Sequence, residues 1–158
     1  MNTIAELEQL TVRRANLTDR VEIAAISDIV MNAFAEGVNE DLLLGWDNGQ
    51  RKHSETYVAC CQELVVGVVC CTVRGQKVYF GLVAVAPAVQ GQHVGTRMMQ
   101  SILESMSAQG RNLFTLHCHR HELIPQSLYR KLGFELMGDD SSVQYMDKTV
   151  AIRMELRR

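Results

Sequence analysis

Reactive side chains and polar backbone concentrate in two places along this chain of 158 residues. The first is Leu82-Val-Ala-Val-Ala-Pro-Ala-Val-Gln-Gly-Gln-His-Val-Gly95. An apolar strand runs into Pro87, then into a short loop of Gln, Gly and His, then into a helix. A strand, a tight loop and a helix N-terminus present a row of backbone N–H groups to an anion. The positive end of the helix dipole adds to the attraction. The stretch therefore points to a phosphate-bearing cofactor. No Gly-Lys-Ser/Thr follows and no G-x-G-x-x-G occurs, so it is neither a Walker loop nor a dinucleotide fingerprint. The second place is the alternating set His117, His119 and His121. In an extended strand these three share one face. Imidazole titrates near neutrality and is a competent base. Three imidazoles also hold zinc, but same-face strand neighbours lie about 6.6 Å apart, which is awkward for one ion.

The elements that must hold these groups follow from periodicity and punctuation. Leu10 to Arg14 reads as a first strand. Asp19 caps a helix through about Ala35, with Val21, Ile26, Ile29, Val30, Ala33 and Phe34 as its apolar stripe; Gly37 ends it. Glu40 to Trp46 reads as a short second helix, and Asp47-Asn-Gly-Gln50 as a turn. Thr56 to Cys61, Val65 to Arg74 and Lys77 to Ala86 form an antiparallel meander. Thr96 to Ala108 is a helix with Met98, Met99, Ile102, Leu103 and Met106 inward and Gly110 at its end. Asn112 to His119 is a strand. Ile124 to Leu132 is a helix with Pro125 in its first turn. Phe134 to Gly138 and Thr149 to Leu156 are two more strands. A meander followed by β-α-β units predicts an α/β protein with a mixed central sheet flanked by helices.

The loop resembles motif A of the GNAT N-acetyltransferase superfamily, whose core reads V-x-P-x-x-(Q/R)-x-x-G-x-(G/A). Val85, Pro87, Gln90 and Gly95 match, and His93 stands where the family usually has its first glycine. Downstream, Ser127-Leu-Tyr-Arg-Lys-Leu-Gly-Phe134 resembles the A-x-x-L-Y-x-x-x-G-F signature. The two signatures and their strands cover roughly Thr56 to Phe134. The resemblance implies the GNAT fold, in which the strand ending at Pro87 and the strand from about Asn112 splay apart and acetyl-CoA inserts between them. The pantetheine amides would pair with the open edge at Ala84, Val85 and Ala86, as an added strand does. The pyrophosphate would sit on backbone N–H groups of Gln92, His93, Val94, Gly95, Thr96 and Arg97, with Gln90 in the same loop. His93 lacks the conformational freedom of glycine, so it must accept an unusual backbone conformation, point away or donate to a phosphate.

The resemblance also implies the catalytic residues. Tyr129 occupies the position of the tyrosine thought to reprotonate the departing thiolate, and a phenol is a proton donor suited to that step. Some members carry a glutamate base before the cofactor loop, but Lys77 to Leu82 contains no acid. Others place it on the following strand, and counting back from Tyr129 that position is His117. The family requires no metal. Glu122 stands where many members have an asparagine that touches the pantetheine; a carboxylate donates no hydrogen bond there. The acceptor would lie between Glu36–Lys52, with Glu40, Asp41, Trp46 and Asp47, and a loop at Asp139–Asp147, with Asp139, Asp140 and Tyr145. Acidic groups suit a cationic amine.

Composition narrows the setting. The length suits one domain over residues 1–158. Formal net charge is −2 and there is no long basic run, so nucleic acid is not an implied partner. No apolar run reaches about 18 residues, so no membrane span is expected. Met1 to Gln9 is mixed polar and acidic, unlike a signal peptide. Cys60-Cys61, Cys70-Cys71 and Cys118 make a poor disulfide framework and read as buried thiols of a reducing compartment. A cytoplasmic protein is expected, with a sheet edge after Thr149 able to pair in a homodimer. The expected activity is transfer of acetyl from acetyl-CoA directly to a primary amine, of a small molecule before a protein. The rivals are a protein N-terminal or lysine acetyltransferase, and a non-catalytic acyl-CoA-binding module marked by His93.

Overall fold

A computed structural model describes residues 7–33, 53–145 and 147–158. The expected helix at Glu40–Trp46, the turn at Asp47–Gln50 and the acceptor residues Glu40, Asp41, Trp46 and Asp47 lie outside the described residues. The order is β1 (Leu10–Arg14), α1 (Arg20–Ala33), β2 (Ser54–Cys61), β3 (Leu64–Arg74), β4 (Lys77–Val85), a 3-10 turn (Pro87–Val89), α2 (Val94–Ala108), β5 (Leu113–Cys118), α3 (Leu123–Lys131), β6 (Glu135–Gln144) and β7 (Val150–Arg157). The seven strands form one sheet in the order β1-β2-β3-β4-β5-β7-β6. All neighbours are antiparallel except β4 and β5. The α/β mixed sheet expected from the sequence is therefore present.

The helices form for the local reasons the sequence offers. The Asp19 carboxylate accepts the Val21 N–H at 2.9 Å and the Asp19 carbonyl accepts the Ile23 N–H at 3.0 Å, starting α1. Its buried positions are Glu22, Ile23, Ile26, Ile29 and Val30. Val21 and Ala33, expected in the stripe, are exposed. At 100° per residue Val21 sits about 140° from Ile26, so Ile23 takes the inward place. The buried Glu22 carboxylate accepts from the Arg13 guanidinium and the Asn16 N–H, tying β1 to α1. The hydrogen bond from Arg13 holds that carboxyl below its ordinary value despite burial.

Two apolar layers flank the sheet. On one face α2 buries Val94, Met98, Met99, Ile102, Leu103 and Met106 against Val78, Phe80, Phe114 and Leu116. On the other, Ile26, Ile29 and Val30 of α1 meet Val58, Val68, Leu82 and Ala84. Val78 and Phe80 thus face α2, whereas Leu82 and Ala84 face α1. The register explains the switch: Cys70 pairs with Leu82 and Cys71 with Phe80, so Gly81 is an extra residue on β4. Such a bulge re-aims the side chains beyond it. All five cysteines are free and buried. Cys60 and Cys70 point to the α1 layer and Cys61 and Cys71 to the α2 layer, so each adjacent pair straddles the sheet.

Two expectations at the C-terminal end are corrected. Asp139 to Gln144 is not a loop but the second half of β6. Its Gly-Asp-Asp-Ser-Ser composition reads as a turn, yet the chain stays paired with β7 through register shifts at Leu136/Gly138 and Asp140/Gln144. Gly138 takes φ +108° at the first of these. The connecting loop is only Tyr145 to Thr149. The strand after Thr149 is not an edge either, because β7 lies between β5 and β6, and β6 is the edge. No helix among the described residues is long and apolar enough to cross a membrane.

Candidate active site

The site originates in a pairing defect. β4 and β5 pair only over Lys77–Phe80 and Leu113–Leu116, although β4 continues to Val85 and β5 to Cys118. Beyond Phe80 the two strands part, and the β5-facing edge of β4 from Gly81 to Val85 meets a gap instead of a strand. The bulge at Gly81 turns Val83 and Val85 toward that gap on the α2 side. The gap opens into a cleft of about 650 Å³ bounded by β4, the loop that follows it, the N-terminus of α2 and α3.

The loop between β4 and α2 is held by its own backbone. Val89 N–H bonds Ala86 O at 3.1 Å and Gln90 N–H bonds Pro87 O at 3.3 Å, while the Gln90 side chain donates to Val85 O at 3.2 Å. Gly91 takes φ +78°. His93 is the N-cap of α2 in the left-handed conformation, φ +62° and ψ +17°, with no side-chain cap. Of the three outcomes open to His93, the structure takes the unusual backbone conformation, so the loop keeps a path that glycine would follow. The first helical bond of α2 runs from Arg97 N–H to His93 O at 3.1 Å. The N–H groups of Val94, Gly95 and Thr96 thus have no intrahelical acceptor, and all three residues line the cleft, where the helix dipole favours an anion. A Cβ on Gly95 would lie 2.9 Å from Leu128 Cδ1, so glycine lets α2 begin directly against α3.

Among the residues expected to bind cofactor, Ala84, Val85, Gln90, His93, Val94, Gly95 and Thr96 line the cleft. Ala86, Gln92 and Arg97 do not line it. The Ala86 N–H bonds Val66 O at 2.8 Å on β3. The Gln92 side chain turns back to Ala88 O at 3.5 Å. The N–H of Arg97 is taken by the helix, and its guanidinium holds the carbonyls of Leu7 and Glu8. The sequence reading missed Val83, Val89 and Gly91, together with a wall from α3: Leu123, Ile124, Pro125, Ser127, Leu128 and Lys131. Only the fold marks that wall: Leu123 and Ile124 are apolar yet 70% and 86% exposed at the mouth of the cleft. Lys131 brings an ammonium to a cleft whose other walls are mostly apolar.

Tyr129 lies on the same wall, 9% exposed, its ring edge-on to Phe134 at 5.9 Å. Burial pushes its phenol well above the ordinary value. The group therefore stays protonated as pH rises above neutrality, and the residue lines the cleft.

On the opposite face of the sheet stands His117, 14% exposed at its side chain. Its Nε2 is 2.8 Å from Asp140 Oδ2 and its Nδ1 is 2.9 Å from the Tyr79 hydroxyl. Asp140 is pushed down to about 2 by hydrogen bonds from Ser142 and then His117. His119 and His121 do not share the strand face, because β5 ends at Cys118. His119 donates through Nε2 to Asp147 at 2.7 Å and accepts the His121 N–H on Nδ1 at 3.1 Å. Both of its nitrogens are occupied, and its ring lies 5.0 Å from that of Tyr145. Among the described residues no group of three or more His, Cys, Asp or Glu is arranged to hold a metal ion. Asp139 pairs with Arg120, so each acid of the expected acceptor loop already has a partner.

Comparison with known proteins agrees with this architecture. The GNAT acetyltransferase domain family matches residues 52–136. No curated protein matches the chain. Among solved structures, Ard1 from Thermoplasma volcanium superposes with a TM-score of 0.80 at 19% identity, over 94% of this chain and 97% of that one. The ribosomal-protein-S18-alanine N-acetyltransferase from Escherichia coli gives 0.78 at 18% identity, over 94% of each chain. An aminoglycoside 6'-N-acetyltransferase complexed with coenzyme A gives 0.75 at 14% identity, over 93% of this chain and 96% of that one. At these identities the likeness is one of fold. The matched domain spans more than half of the sequence and contains both signatures, and the chain belongs to the GNAT family as an acetyl-CoA-dependent N-acetyltransferase.

Proposed function

We propose that this chain, acting as a single domain, transfers an acetyl group from acetyl-CoA directly to the primary amine of a small molecule. The observation that carries the reading is the parting of β4 and β5 beyond Phe80, beside three unsatisfied N–H groups at the start of α2. Backbone groups of Ala84 and Val85 would pair with the pantetheine, and Val94, Gly95 and Thr96 would hold the pyrophosphate. Lys131 adds charge from the facing wall. The open β4 edge would polarise the thioester carbonyl. Tyr129 would be the general acid and His117 the base side of the site, reached through the gap from the other face of the sheet. Transfer is direct, so no cysteine nucleophile is needed, and burial pushes the nearby Cys118 thiol up to about 12. A protein α-amine is the second reading, favoured by the likeness to the S18-alanine enzyme.

Acetyl-CoA at 100 times its dissociation constant should stabilise the fold by about 2.7 kcal/mol, several degrees in Tm for a domain of this length. The companion assay is thiol release from acetyl-CoA with spermidine, glucosamine, L-lysine and an alanine-terminated tetrapeptide. No shift in Tm with saturating CoA would end the cofactor assignment. Turnover of the peptide alone would move the acceptor to protein.

The left-handed residue at the loop gives a second measurement. The conformation costs a non-glycine residue about 1–2 kcal/mol, and the greater unfolded-state freedom of glycine returns about 0.5–1 kcal/mol of that. His93→Gly should therefore gain about 0.5–1 kcal/mol, near 2 °C in Tm, and bind CoA as well or more tightly by calorimetry. A large loss of affinity would show that the imidazole itself contacts the phosphates.

A further inference from the structure

Two side chains at the parting of β4 and β5 have no part in the mechanism above: Tyr79 on β4 and Asp140 on β6. Both contact His117. The Tyr79 hydroxyl is 2.9 Å from Nδ1, with the rings edge-on at 5.5 Å. Asp140 Oδ2 is 2.8 Å from Nε2. An ionised carboxylate only accepts, so the proton of the neutral imidazole sits on Nε2. Nδ1 is then the lone pair, and it is covered by the Tyr79 O–H. An amine arriving at this face cannot reach Nδ1 directly. It meets Tyr79, which is 37% exposed, before His117, whose side chain is 14% exposed.

We infer that Tyr79 is the catalytic residue that takes the proton of the incoming amine while passing its own to His117, and that Asp140 is a positioning residue that holds His117 in the accepting tautomer. The inference rests on the reading of this gap as the acetyl-transfer site. The ammonium of the acceptor gives a proton to the Tyr79 oxygen as the Tyr79 proton moves to Nδ1. The imidazolium, beside the Asp140 carboxylate, later releases that proton to solvent. The freed amine lone pair forms the C–N bond to the thioester carbonyl carbon. The C–S bond then breaks and the thiolate takes a proton from Tyr129, which is made good by the second proton of the attacking nitrogen. One proton is released in all, as acetylation of an ammonium requires.

The charged groups facing His117 fix the expected pH behaviour. From β4 there is Tyr79 and from β6 Asp140. From β7 there is Arg153, directly opposite in register, its guanidinium paired with Glu155 at 2.7 Å. Of these Asp140 alone is an anion in hydrogen-bond contact, so it favours the imidazolium.

The test has two arms. In the first, 15N spectra of histidine-labelled protein follow His117 across pH. Wild type should show the proton on Nε2. In Asp140→Asn the tautomers should mix, while Asp140→Glu should restore the proton to Nε2. Tyr79→Phe should alter the Nδ1 signal alone. In the second arm, kcat/KM is measured against pH with the fastest amine of the spermidine, glucosamine, L-lysine and tetrapeptide set. Tyr79→Phe should lose about tenfold to a hundredfold in kcat with unchanged CoA affinity, and Asp140→Asn should move the acidic limb to lower pH. An Asp140 that serves only packing would lower Tm and leave that limb in place. Undiminished turnover by Tyr79→Phe, or a wild-type His117 protonated on Nδ1, overturns the inference while leaving acetyl transfer intact. Absence of both CoA binding and turnover in wild type overturns the reading on which it rests.

Discussion

Tyr129→Phe is expected to lower kcat by about a hundredfold or more while leaving the dissociation constant for acetyl-CoA nearly unchanged. The phenylalanine ring keeps the contact with Phe134 at 5.9 Å and the packing of α3. The hydroxyl makes no hydrogen bond among the described residues, so its removal leaves no buried partner unsatisfied. What is lost is the proton for the departing thiolate. Backbone groups dominate the cofactor site, so binding should survive. A donor that acts on thiolate departure acts in the transition state, so kcat and kcat/KM should fall together. The raised phenol adds a sign to the pH profile. An acid whose pKa lies above its ordinary value stays loaded as pH rises, so wild type should show no basic limb from Tyr129 below about pH 10. Steady-state kinetics beside calorimetry decides the matter. Wild-type kcat in the variant excludes Tyr129 as the essential acid, and weaker CoA binding with unchanged kcat recasts it as a binding residue.

The half of the cleft proposed for the cofactor is legible in the sequence because it is local. Strand, Pro87, loop and helix N-terminus are contiguous, and the positions of Val94, Gly95 and Thr96 follow from where α2 starts. Arg97 fails by a single residue: a helix leaves its first N–H groups free, and the bond from Arg97 to His93 closes the first turn. The α3 wall was less visible. Leu123 and Ile124 look like any pair of apolar residues at a helix start, and only their exposure beside the cleft marks them.

The side proposed for the acceptor is distributed across strands, and the acids expected there, Asp139 and Asp140, come from a segment that reads as a loop and folds as β6. Tyr79 and His117 meet because β4 and β5 pair in parallel up to Phe80 and Leu116. Asp140 reaches His117 because β7 folds back between β5 and β6. Neither fact has a local signal. Asp140 sits in Gly-Asp-Asp-Ser-Ser, which has the composition of a turn. The polar run stays in the sheet because β6 is an edge strand, where register shifts and charged side chains are tolerated. The alternation of the histidines misled for a related reason. A period of two places residues on one face only while the strand lasts, and β5 ends at Cys118. The switch of face at Gly81 is also invisible to period counting, yet it aims Val83 and Val85 at the cleft and leaves Tyr79 on the other side.

His117→Ala is expected to remove the acidic limb of kcat/KM and lower the rate by about a hundredfold or more. A neutral imidazole is the competent form, so activity should fall as pH drops and the ring takes up a proton. The alanine variant has no group there that titrates near neutrality, so its residual rate should follow only the ionisation of the amine acceptor. Two structural consequences of the substitution need a control. Asp140 loses one of its three hydrogen bonds but keeps both from Ser142, whose N–H lies 3.0 Å and whose hydroxyl lies 2.5 Å from Oδ1. Tyr79 loses its acceptor but is already partly open to water. Neither change touches the cleft on the far face, so CoA binding and the CoA-induced rise in Tm should match wild type. His117→Gln supplies the second variant: its amide donates to Asp140 and accepts from Tyr79 without acting as a base near pH 7. Loss of rate and limb in both variants, with CoA binding intact, assigns the base function to this histidine. Full activity in either, with the acidic limb in place, would move proton removal to water or to the acceptor segments.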